Sequence, residues 1–106
     1  DWNGFNMILV RKKSDNSIWV GFPDSWTVAI SSDGVNASFE DDGVVHGDLT
    51  DTDFELVTGV TDTDNNSKYG NGVYSWNGSA WTLVDSTMKT RIDAEIAALE
   101  AERPSE

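Results

Sequence analysis

Turn-forming residues interrupt this chain about every eight to twelve positions, and that spacing restricts its fold more than any other feature. Lys13-Ser14-Asp15-Asn16-Ser17, Pro23-Asp24-Ser25, Ser32-Asp33-Gly34 and Asp41-Asp42-Gly43 each gather residues that favour tight turns. The stretches between them are short and rich in apolar or β-favouring side chains: Phe5 to Lys12, Ile18 to Phe22, Trp26 to Ile30, Val35 to Phe39, Val44 to His46 and Phe54 to Val60. Trp26, Val28 and Ile30 alternate with smaller residues, and Phe54, Leu56 and Thr58 repeat the pattern of a half-buried strand. Strands this close together leave no room for crossover helices. The expected class is therefore mainly β, a small antiparallel sandwich or barrel.

At 106 residues the chain is one domain, or one domain with an appendage. It has no cysteine, so neither a disulfide nor a thiolate metal site can reinforce a small core. The longest aliphatic run, Met7 to Val10, is far short of the roughly 20 residues a membrane span needs. Asp1-Trp2-Asn3-Gly4 has neither the basic region nor the apolar stretch of a signal peptide. No membrane partner is expected.

Charge is distributed unevenly. The net charge is -12, and between Ser14 and Ser67 twelve carboxylates stand without one Lys or Arg. Phosphate backbones are bound through cations, so this acidic middle argues against nucleic acid as a partner. Solubility is its simplest use.

Two further elements follow a polar, glycine-containing loop at 62 to 72. Val73 to Trp76 and Ser79 to Val84 flank Asn77-Gly78, a dipeptide suited to a type I′ turn. With a two-residue loop, Trp76 would face Ser79 and Tyr74 would face Trp81. Tyr74, Trp76, Ser79 and Trp81 then share one side, and Val73, Ser75, Ala80 and Thr82 the other. At Asp85 the period changes. Asp85-Ser86-Thr87 offers N-cap oxygens, Met88 to Arg103 lacks Gly and Pro, and Pro104 ends the helix. Met88, Ile92, Ile96 and Leu99 form a narrow apolar stripe with spacings of four and three, like a short coiled-coil seam. The domain plan is an antiparallel β domain at 1–84 and, at 85–106, a C-terminal helix and tail for oligomerisation or docking.

Chemistry-bearing patterns are sparse. Asp62-Thr63-Asp64-Asn65-Asn66-Ser67-Lys68 begins like a calcium loop. Ser67 then occupies the position of the sharp-turn glycine, and Val73 that of the bidentate glutamate, so solvated turns are expected and no metal site. His46 is the only histidine, and no Gly-x-Ser-x-Gly elbow or phosphate-binding glycine loop accompanies it. No catalytic residue and no cofactor are expected, and the chain reads as a non-enzyme. Its five tryptophans are by default core material for a disulfide-free domain.

The segment Asn71-Gly72-Val73-Tyr74-Ser75-Trp76-Asn77-Gly78-Ser79-Ala80-Trp81-Thr82 resembles hairpins frequent in structural proteins of tailed bacteriophages, which often sit beside a trimerising helix or fibrous stretch. That resemblance implies a structural virion component (tail, fibre or capsid-decorating) that joins other virion proteins through repeated contacts. Its helix stripe, Met88, Ile92, Ile96 and Leu99, would be the interface of a homo-oligomer, a trimer being favoured. The same hairpin also looks like that of chitin-binding modules, which implies the alternative of a carbohydrate-binding module with Tyr74, Trp76 and Trp81 as a sugar platform. Where those modules carry an adjacent aromatic pair, Leu83 and Val84 stand here.

Overall fold

A computed structural model describes residues 6–102; Trp2, Phe5, Arg103 and Pro104 lie outside the described residues. The elements in order are β1 (Asn6–Lys12), β2 (Ile18–Pro23), β3 (Thr27–Ser31), β4 (Gly34–Phe39), β5 (Asp42–His46), β6 (Phe54–Thr61), a 3₁₀ turn (Asn66–Tyr69), β7 (Tyr74–Trp76), β8 (Trp81–Leu83) and α1 (Ser86–Ala101). The fold is mainly β, with a single C-terminal helix among the described residues. All pairings within its sheets are antiparallel, in the orders β2-β1-β6, β3-β4-β5 and β7-β8. No helix among the described residues is long and apolar enough to cross a membrane.

The sheet β2-β1-β6 is the centre of the molecule because both its faces are covered. On one face Val10, Phe22 and Phe54 meet Val35 and Ala37 of β4 together with Leu49, and Val28, Ile30 and Trp26 close the layer. On the other face Met7, Leu9, Ile18 and Val60 pack together, with Trp76 and Trp81 of the hairpin against them. Leu9 and Val10 are adjacent, point to opposite faces, and are both fully buried. This explains why the longest aliphatic run is a strand: one buried on both faces needs no polar alternation.

Two β-bulges direct the neighbouring strands to the correct core. Met7 pairs with Val60 and Leu9 with Val57, so β6 carries one extra residue at Thr58–Gly59, where Gly59 has φ 70°. Beyond it the faces exchange, and Val60 joins the core of Leu9 instead of following Phe54 and Leu56. The simple alternation expected for Phe54, Leu56 and Thr58 thus ends at this bulge, and Thr58 is exposed. In β2, Val10 pairs with Val20 and Arg11 with Ile18, and the extra residue at Trp19 sends Ile18 to one core and Val20 to the other.

Deleting core volume at Leu9 should cost about 3 kcal/mol, measured as Leu9→Ala in urea unfolding. Leu83→Ala, at a position 44% exposed, should cost under about 1 kcal/mol in the same assay. Comparable losses would contradict the central place of β1.

Candidate functional site

Two regions gather the side chains that sequence marks as functional, and both adjoin the loop at 62–72. In the hairpin, Trp76 pairs with Trp81, Ser75 with Thr82 and Tyr74 with Leu83. The loop therefore spans Asn77 to Ala80, four residues where two were expected. Asn77 is responsible: its Oδ1 accepts from Ser79 N and Ala80 N, both at 2.9 Å, so the side chain builds an Asx turn before Gly78 can close a type I′ pair. A register change of two residues leaves every side chain on its own face. Tyr74, Trp76 and Trp81 consequently still share a side.

Those rings form a packed cluster. Trp76 and Trp81 lie 5.1 Å apart at 44°, Tyr74 meets Trp81 edge-on at 6.2 Å and 87°, and Tyr74 meets Tyr69 at 5.9 Å and 38°. All three hairpin rings are half-buried. Rings tilted against one another by 38 to 87° pack together and make no flat platform. Behind them Val73 is fully buried, so the expected small polar back face contains a core residue. The hairpin is attached to the central sheet by Trp76 N donating to Asn16 O at 3.0 Å, and by Arg11, whose Nη1 donates to Trp76 O at 2.8 Å while its guanidinium pairs with Glu55.

The loop itself departs from the solvated turn expected at Asp62. That carboxylate is buried, 2% exposed, and accepts from Asn66 N at 2.9 Å, Ser67 N at 2.8 Å and Ser67 Oγ at 2.6 Å. Its lone pairs hold the start of the 3₁₀ turn. Among the described residues no three His, Cys, Asp or Glu side chains gather as a metal cage. Gly70, at φ 54°, follows the 3₁₀ turn; a Cβ there would stand 2.7 Å from the Trp19 carbonyl oxygen. Asn71 N and Gly72 N then donate to Trp19 O and Ile18 O, fastening the loop to β2. Between this loop and the β5–β6 connection lies a cleft of about 410 Å³, lined among others by Trp19, His46, Asp48, Lys68, Tyr69 and Asn71.

The second region is α1. Asp85 is its N-cap, with Oδ1 accepting from Met88 N at 2.9 Å. Met88, Lys89, Ile92, Asp93 and Ile96 are half-buried and recur at helical spacing, while Leu99 is 66% exposed; no residue of the helix is buried. A polar contact fastens it to the body. The Tyr69 hydroxyl donates to Asp93 Oδ1 at 2.6 Å, Lys89 Nζ pairs with Asp93 Oδ2 at 3.0 Å, and the Lys68 and Lys89 ammonium groups lie over the Tyr69 ring at 5.1 and 5.3 Å. The Tyr69 hydroxyl and Lys89 hold the Asp93 carboxyl below the usual aspartate range, and Asp93 in turn raises the Tyr69 hydroxyl and the Lys89 ammonium. In sequence, Lys89 and Asp93 are visible as an i,i+4 pair, but nothing marks Tyr69 as their partner.

No protein-family model matches the chain, and neither a curated protein nor a solved structure does.

Because its folded pKa is depressed, Asp93 stabilises the docked helix above the ordinary carboxylate value and ceases to do so as pH falls below about 4. Tyr69→Phe should raise amide exchange severalfold along α1 at neutral pH while the β1 amides stay slow. The difference from the wild type should shrink on acidification. Uniform acceleration across sheet and helix would contradict a local anchor.

Proposed function

We propose that this chain is a non-enzymatic structural component of a phage virion, assembling through repeated protein–protein contacts. The observation that carries the proposal is the state of α1: a sixteen-residue helix without one buried residue, whose apolar stripe runs outward to Leu99. A helix of this length is marginal when uncovered. Leu83 and Val84, 44% and 57% exposed, extend the apolar surface at its root. In this proposal Ile96 and Leu99 meet other copies or neighbouring virion proteins, with Met88 and Ile92 continuing the seam toward the body. Three such helices around an axis would complete the stripe, which favours a trimer. The hairpin–helix resemblance supplies the virion setting, in a tail, fibre or capsid-decorating position.

The sugar-binding alternative has less support, because Tyr74, Trp76 and Trp81 are half-buried and mutually tilted. A saturable shift of tryptophan fluorescence on titration with oligosaccharides would favour it over assembly. For assembly, the mass of the full chain by sedimentation equilibrium should rise with concentration from the single-chain 11.6 kDa. The double variant Ile96→Asp with Leu99→Asp should show a lower mass than the unaltered chain at every concentration where that chain associates, with an unchanged far-UV spectrum. Identical mass distributions for the two proteins would remove the helix from the interface.

A further inference from the structure

The edge of the β3-β4-β5 sheet carries a second, self-complementary surface, independent of the helix. Strand β5 pairs with β4 alone; its other side has no strand partner among the described residues. It is the most exposed strand, with Val45 65% and Val44 39% exposed. Within Asp42–His46 there is no proline and no lysine, and its pairing with β4 is regular with no bulge, so among the usual devices that blunt an edge only its short length and the charge of Asp42 are present.

Register determines which backbone groups are free. The loop between β4 and β5 is two residues, Glu40 and Asp41, closed by Phe39 opposite Asp42. A two-residue loop is closed by a hydrogen-bonded pair, and such pairs alternate along the ladder. Asp42, Val44 and His46 thus direct their N–H and C=O toward β4, and Gly43 and Val45 direct theirs outward. The β3–β4 hairpin gives the same parity from its own two-residue loop, since Gly34, Asn36 and Ser38 are then directed toward β3.

We propose that β5 pairs antiparallel with β5 of a second copy about a two-fold axis at Val44, joining two three-stranded sheets into one of six strands. In this register Gly43 of each chain exchanges both hydrogen bonds with Val45 of the other. Val44 lies beside its own symmetry mate, where cross-strand side chains come closest. Val45 spreads over the bare Gly43 of the second copy. Asp42 stands opposite His46 of the second copy, so the imidazole N–H meets a carboxylate at both ends of the pairing. Beyond the strands the same register sets Glu40 opposite Asp48 of the second copy, two like charges that oppose the contact. Glu40 and Asp41 lie beyond the paired stretch, and each chain carries a net charge of -12, so added salt should strengthen the contact by screening.

Proline substitution distinguishes the outward edge from the ladder. Val45→Pro removes an outward donor and leaves the β4 bonds in place, whereas Val44→Pro would break the hairpin itself. In sedimentation equilibrium of the full chain, Val45→Pro should weaken association by about tenfold or more, because two hydrogen bonds are lost per dimer. Amide exchange supplies the second measurement. In the wild type, Gly43 and Val45 amides should slow as concentration rises, while that of Val44 is slow throughout. Asp42→Lys should weaken association as well, by opposing His46 with a cation. If the chain associates while Gly43 and Val45 continue to exchange at the dilute rate, or if it remains a monomer at high salt and high concentration, the edge pairing is refuted. The Ile96→Asp and Leu99→Asp pair should leave the Gly43 and Val45 protection intact, which separates this interface from that of the helix.

Discussion

Strand β1 carries the fold because it is the one strand whose neighbours at both edges and on both faces are all supplied by the protein itself. Leu9 and Val10, both fully buried, belong to different cores. Removing one of them would leave a void in one layer and loosen the support of the other, since both layers pack on the same backbone. A disulfide-free chain of 106 residues has few other ways to gain burial. The two bulges serve this arrangement. Each inserts one residue beside β1, so that Ile18 and Val60 reach the second core while Val20, Phe22, Phe54 and Leu56 remain at the first.

Polar groups do the fastening at the periphery, where apolar area runs short. Asp62 binds three donors of the loop that follows it, Arg11 ties the hairpin to β6 through Trp76 O and Glu55, and Tyr69 holds α1 through Asp93. The distinction is one of depth. Asp62 is sealed from water, where leaving its donors unmatched would be costly. The Lys89–Asp93 pair is solvated, with side chains 31% and 44% exposed, and surface pairs of this kind contribute little. The helix is thus the most loosely held element, which agrees with the proposal that its apolar stripe is shared with another chain.

Sequence made the strands legible because turn residues and β-favouring runs are local signals. Each strand lies within a residue or two of its expected limits, and Asp85 caps the helix as its side chain suggests. What stayed hidden depends on contacts distant in sequence. Gly59 reads as one more small residue in an alternating strand until Met7 and Leu9 are placed opposite it. Asn77 looked like half of a two-residue turn, yet its own side chain competes for the turn amides and lengthens the loop. Asp62 looked solvated because its neighbours are polar, whereas Ser67 and the packing of the loop on Gly21 bury it. Tyr69, twenty-four residues from Asp93, carried no local sign of its role.

The two proposed interfaces have different symmetry, and that difference has a structural consequence. A two-fold contact at β5 closes after two copies, and a three-helix seam closes after three. A chain that uses both need not close at either, because every trimer then presents three unpaired strand edges to its neighbours. Repetition of this kind extends into a shell or sheath when the subunits are anchored on a scaffold. In free solution the acidic surface opposes it, since each added copy brings a further charge of -12. Association would therefore be weak at low ionic strength and favoured where other proteins hold the copies close together, so that the scaffold rather than the isolated chain decides when assembly proceeds.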